Sequence, residues 1–173
     1  MREIDLLKNY PKTNRDLNQA SIERTDEVRL VARKFDKDFF DGDRKYGYGG
    51  YNYNPRFWTS VVKDFSDYYK LKDGSKILDI GCGKGFMIYD FLQHNNKYIV
   101  KGIDISDYAV KNSMPEVKDN VEVGNAKELQ FEDNFFDLVI SINTIHNLEK
   151  EECAMSLREI ERVSKKDKFI IVD

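Results

Sequence analysis

Three glycines stand at every second position in Gly81-Cys82-Gly83-Lys84-Gly85, directly after the apolar run Ile77-Leu78-Asp79-Ile80 and directly before Phe86-Met87. A strand that turns sharply into a helix needs such residues, because glycine tolerates the turn and leaves bare main chain for a ligand at the helix N-terminus. A tight strand-to-helix turn with no ligand uses the same residues. The spacing discriminates among nucleotides. A dinucleotide site asks for G-x-G-x-x-G, whereas the third glycine here falls one residue early and Phe86 stands where that pattern requires Gly or Ala. A P-loop fails too, since Lys84 lies between glycines and no Ser or Thr follows Gly85. With only two cysteines, Cys82 and Cys153, and two histidines, His94 and His146, no zinc site, disulfide framework or other metal centre is expected.

The elements that must position this loop follow from periodicity. From Asp73 onward, short β runs at about 76–80, 98–103, 120–123, 136–142 and 168–172 alternate with helical patterns at about 85–94, 106–113 and 149–164. That alternation predicts an α/β fold whose parallel sheet is joined by helical crossovers. The last helix has Glu149, Glu151 and Glu152 in its first turn and Arg158, Arg162 and Lys165 near its end, as the helix dipole favours, with Cys153, Leu157 and Ile160 as its buried stripe. His94 falls at a helix end and reads as a dipole partner. Ahead of the sheet, Val28, Val31, Ala32, Phe35 and Phe39 predict one amphipathic helix, and Pro55 to Lys70 predicts another with a stripe of Phe57, Val61, Phe65 and Tyr68. The organisation is therefore an N-terminal helical extension with a Tyr/Gly loop over residues 1–54 and an α/β domain over residues 55–173.

Composition bounds the rest. The 173 residues are 40% hydrophobic, with ten glycines, which suits one globular core. Twenty-eight basic against 31 acidic residues give a net charge of -3, so the overall field does not favour nucleic acid or anionic membrane. The longest apolar runs are four residues, at Phe86–Tyr89 and Phe169–Val172, so no membrane-spanning helix is expected. The first five residues include acids and no apolar core of a secretory signal follows, from which a cytoplasmic location is expected.

A strand ending in Asp79 before G-x-G-x-G resembles the first motif of class I S-adenosylmethionine-dependent methyltransferases, of the small-molecule type. Further segments resemble that family in the same order over residues 74–173. Lys101-Gly102-Ile103-Asp104-Ile105-Ser106 puts an acid 19 residues after Gly85. The resemblance implies that Asp104 accepts the cofactor's two ribose hydroxyls, with Ile105 beside it; a helix cap is the other role open to Asp104. Val123-Gly124-Asn125-Ala126 resembles the adenine-edge segment, with Asn125 in place of the usual Asp; a turn residue is the alternative there. Phe136 to Leu148 resembles the fourth strand and the loop beside the methionine moiety and the acceptor, which brings in Asn143 and offers His146 as a general base or as a packing residue. The implied cofactor set is Asp79, Gly81, Cys82, Gly83, Gly85, Asp104, Ile105, Asn125, Ala126 and Asn143, with Asp79 ordering the loop by accepting backbone N–H groups or meeting the cofactor's amino group.

The resemblance implies a Rossmann-like, doubly wound sheet of about five strands. The family's sixth and seventh strands have no counterpart, which leaves strand five as an apolar edge for a second copy or another chain. The Tyr/Gly loop from Arg44 to Trp58 is placed to form a lid, with Arg44 or Arg56 pairing the cofactor's carboxylate and Tyr46, Tyr48, Tyr51 and Tyr53 walling the pocket, or else to be a surface loop. The implied reaction moves a methyl group from S-adenosylmethionine to an O or N atom of a small molecule and leaves S-adenosylhomocysteine. The alternative is a cofactor-binding subunit without turnover. Nucleic acid is not expected as acceptor, because the loop reads Ile142-Asn143-Thr144-Ile145 and lacks both the [DN]-P-P-[FYW] tetrad and the Pro-Cys pair of DNA methyltransferases.

Overall fold

A computed structural model describes residues 4–12 and 25–172, so parts of the N-terminal extension and Asp173 lie outside the described residues. Among the described residues, three helices precede the sheet: α1 (Asp26–Ala32), α2 (Lys37–Asp41) and α3 (Pro55–Tyr69). The strands β1 (Lys76–Ile80), β2 (Ile99–Asp104), β3 (Val121–Val123), β4 (Phe136–Ile142) and β5 (Ser164–Ile171) form one sheet in the order β3-β2-β1-β4-β5, with every neighbouring pair parallel. The crossovers contain α4 (Phe86–His94), α5 (Asp107–Lys111) and α6 (Lys150–Val163). This is the expected Rossmann-like arrangement.

A parallel sheet is covered on both faces, so its central strands are apolar throughout rather than alternating. In β1, Ile77, Leu78 and Ile80 are all buried. Ile77 joins a cluster with Val61, Val62 and Phe65 of α3 and Ile88 and Phe91 of α4. Leu78 and Ile80 join the other face with Ile160 and Val163 of α6. Each such side chain contributes about 1.5–3 kcal/mol of burial. Because β2 and β4 flank β1 on opposite sides, the chain reverses its winding there and opens a crevice at the carboxyl ends of the strands. The glycine loop lies in that crevice.

Local expectations need four corrections. The stripe from Val28 to Phe39 is two helices: Phe35 adopts a left-handed φ of 49° and Asp36 caps α2 by accepting the Lys37 N–H at 2.7 Å. A side chain able to satisfy a new helix start breaks the run. In α6 the buried stripe is Ser156, Ile160 and Val163, with Cys153 half-buried and Leu157 42% exposed, because the docked face is rotated from the one expected. Likewise α3 buries Val62 and Ser66 with Val61 and Phe65 and turns Tyr68 to solvent. Finally β5 starts at Ser164, straight from α6, and its exposed Lys165 and Lys166 lie on the outer strand of the sheet.

Candidate cofactor site

A cavity of about 330 Å³ occupies the crevice, floored by the ends of β1, β2 and β4. Gly81, Gly83, Asp104, Ile105, Asn125, Ala126 and Asn143 line it. Its other wall comes from the N-terminal segment, through Arg33, Lys34, Phe35, Phe39, Phe40, Tyr48 and Tyr51.

Asp104 ends β2 and is 8% exposed. Its Oδ2 accepts the Gly83 N–H at 2.7 Å and its Oδ1 accepts the Ser106 N–H at 2.8 Å. Burial pushes its pKa up, and these two backbone donors oppose the shift. A carboxylate has about four acceptor sites, so each oxygen keeps capacity for a hydroxyl. The cap of α5 is Ser106, whose hydroxyl accepts the Ala109 N–H at 3.0 Å, and Asp104 is not needed for that role.

The three loop glycines are required for different reasons. At Gly81, with φ +81°, an added Cβ would stand 2.0 Å from Thr144 Oγ1. At Gly83, with φ +56°, it would press on the Tyr51 ring at 3.0 Å. At Gly85 it would meet Val117 Cγ2 at 2.8 Å, so Gly85 serves the packing of α4 rather than the cavity wall. Cys82 does not line the cavity: its side chain is buried against Gly102, where an added Cβ would lie 2.8 Å from its Sγ, and burial drives its thiol pKa well up.

Asp79 is buried at 4% exposure but does not line the cavity, and no described residue donates a hydrogen bond to its carboxyl. The expectation that it orders the loop through backbone N–H groups is corrected: Gly81 and Cys82 donate instead to the Ile103 carbonyl, at 2.8 and 3.1 Å. Burial, and secondarily the charge of Asp104, push the Asp79 pKa up to about 8. Asn125 lines the cavity while its Oδ1 accepts the Lys127 N–H at 3.0 Å, so it takes the turn role as well.

Beyond β4, Asn143 has a left-handed φ of 51° and donates its N–H to the Ile171 carbonyl at 2.9 Å. His146 sits exposed in the 3-10 turn Ile145–Asn147 and is not part of the lining, whereas its neighbours Asn147 and Leu148 are. Arg44 and Tyr46 are also outside the cavity: Arg44 donates to the Gly47 carbonyl and packs on its own loop, and Tyr46 lies under Lys45 with 4.9 Å from Nζ to the ring centroid. The tyrosines that reach the cavity are Tyr48 and Tyr51, whose rings are 4.2 Å apart; Tyr51 in turn stacks on Phe86 at 4.6 Å. Of the four tyrosines offered as pocket walls, Tyr46 and Tyr53 do not line the cavity; Thr144 was not singled out from sequence because its partner, Gly81, is remote along the chain.

A family model described as a methyltransferase domain matches residues 78–172, more than half of the chain. The chain belongs to that family. The chain is 31% identical over 94 residues to phosphoethanolamine N-methyltransferase 3 of Arabidopsis thaliana, a match covering 51% of this chain and 19% of that protein. It is 37% identical over 106 residues to 24-methylenesterol C-methyltransferase 3 of the same plant, covering 57% and 29% respectively. The chain thus spans less than a third of the length of either relative. Among solved structures, a SAM-dependent methyltransferase from Methanosarcina mazei is 27% identical with a TM-score of 0.51, covering 58% of this chain and 52% of that one. The family's cofactor is S-adenosylmethionine, and the cavity fits it: a buried carboxylate with free acceptor capacity lines the cavity together with the side-chain-free main chain of Gly81 and Gly83.

Proposed function

We propose that this chain binds S-adenosylmethionine across the ends of β1, β2 and β4 and catalyses methyl transfer to an O or N atom of a small molecule. The observation that carries the reading is Asp104: a buried carboxylate, braced by Gly83 and Ser106 N–H groups, at the floor of a cavity beside bare glycine backbone. The bound cofactor supplies an electrophilic methyl group on a sulfonium.

The chain's residues supply position and a dry site. Asp104 accepts the ribose hydroxyls, Gly81 and Gly83 admit the ligand against main chain, and Asn125 with Ala126 borders the base. Phe39, Phe40, Tyr48 and Tyr51 exclude water and offer π faces to a cation. Holding donor and acceptor in line is worth about 7–11 kcal/mol of a barrier in favourable cases, so no protein nucleophile is required. The aromatic wall suits a small acceptor with an apolar face. The N- and C-methyltransferases among the relatives act on different atoms, and the choice of O or N here is tested by product analysis.

Calorimetry with S-adenosylhomocysteine and with NAD tests the cofactor reading, which requires binding of the first and not the second. Release of S-adenosylhomocysteine on incubation with S-adenosylmethionine and acceptor pools separates an enzyme from a cofactor-binding subunit. Pairing of a second copy along Phe169–Ile171 of the outer strand β5 belongs to the same reading and is tested by sedimentation across concentrations.

A further inference from the structure

Lys84 occupies the middle of the glycine loop, yet it does not line the cavity. It is 7% exposed, and a buried ammonium is costly unless its donors are satisfied. All three are directed to the N-terminal segment. Nζ donates to Asp41 Oδ1 at 2.8 Å, to Asp41 Oδ2 at 2.7 Å and to the Tyr51 carbonyl at 2.9 Å. Asp41 also accepts the Tyr51 N–H at 3.0 Å and the Tyr108 hydroxyl at 2.7 Å. These donors, with Lys84 foremost, hold the Asp41 carboxyl below its ordinary range against the opposing effect of burial. The two ends of the aromatic segment, residues 41 and 51, are thereby clipped to each other and to the loop.

The apolar contacts agree with the polar ones. Tyr51 lies over Gly83 and stacks on Phe86, so three of four consecutive residues, 83, 84 and 86, grip the same tyrosine. Between the clipped ends, Gly49 and Gly50 have φ of +69° and +106°, conformations that favour glycine and let the strap turn back on itself. Phe40, Tyr48 and Tyr51, which wall the cavity, all belong to or adjoin this strap.

We propose that Lys84 is a positioning residue that acts through Asp41: it latches the Phe39–Tyr51 strap onto the glycine loop, so that one wall of the cofactor cavity is held by the loop that forms its floor. The proposal rests on the reading of the cavity as the S-adenosylmethionine site. Lys84 touches the strap and not the ligand, so its loss loosens the wall and speeds ligand escape.

Hydrogen exchange over residues 41–53 and the association and dissociation rates of S-adenosylhomocysteine are to be measured for wild type, Lys84→Met, Asp41→Asn and the double variant. The double variant removes both charges and keeps the test open if a single one leaves a buried charge that prevents folding. Expected are faster strap exchange in the ligand-free variants and a dissociation rate raised about tenfold with association little changed, the double variant being no worse than either single one. Unchanged strap exchange in the folded double variant overturns the proposal. So does a loss of affinity in Lys84→Met that is absent in a folded Asp41→Asn, since Lys84 would then act without Asp41. If wild type fails to bind S-adenosylhomocysteine, the cofactor reading falls, and strap exchange in the ligand-free proteins alone decides the latch.

Discussion

Thr144, two residues beyond β4, fills the space that a side chain on Gly81, at the end of β1, would need: its Oγ1 lies 2.0 Å from the place of the missing Cβ and donates to the Ile80 carbonyl at 3.1 Å. The two strand ends interlock at the switch point of the sheet. Gly81→Ala is therefore expected to cost roughly 1–2 kcal/mol for a left-handed Ala and about 1–3 kcal/mol more for overpacking. Denaturant unfolding checks this, and Gly81→Ala/Thr144→Gly should recover the overpacking part only. Full recovery would mean that backbone strain at Gly81 is absent.

Asp104→Ala removes the proposed ribose acceptor and also strands the Gly83 and Ser106 N–H groups. Hydrogen bonds to charged groups are worth about 1.5–3 kcal/mol, so affinity for S-adenosylhomocysteine should fall tenfold or more. Asp104→Asn, which keeps one acceptor oxygen, should fall in between. Calorimetry that finds all three proteins equal would remove Asp104 from the site.

Asp79 sets a pH dependence in the ligand-free protein. Its pKa is about 8 when folded and about 3.9 when unfolded. Between these values the folded chain keeps a proton that the unfolded chain has released, so this contribution to stability is complete below about pH 4 and is lost as pH climbs towards 8. The slope approaches about 1.4 kcal/mol per pH unit. Asp41, Asp137 and Glu159 shift downward and act at more acidic pH in the opposite sense. Urea unfolding at pH 5.5 to 7.5 should show wild type declining relative to Asp79→Asn; parallel profiles would contradict the assignment.

The strap predicts an asymmetry among its side chains. Arg44→Ala/Tyr46→Ala should leave S-adenosylhomocysteine affinity within about twofold, because neither residue lines the cavity. Tyr51→Ala removes the stack on Phe86 and the cover over Gly83, and should weaken binding about tenfold or more. Isothermal titration of both variants checks the contrast, and the reverse order would restore Arg44 and Tyr46 to the pocket.

The order of strands and helices from β1 to β5 was legible in the sequence because it is written in local patterns: apolar runs such as Ile77–Ile80, the glycine triplet, and charges graded along α6. The chemical types in the glycine loop and at Asp104 were legible for the same reason, since a strand end carries its residue to a fixed place in a doubly wound sheet. The tertiary structure decided which face of α6 is buried, that Phe35 interrupts a helix, that of the four loop tyrosines Tyr48 and Tyr51 meet the cavity while Tyr46, Tyr53 and Arg44 do not, and that Lys84 reaches Asp41. The last pair is 43 residues apart in sequence. Such contacts depend on how separate elements dock, and no periodicity encodes that. A buried lysine satisfied by a remote carboxylate reads, in sequence, as any other lysine in a loop.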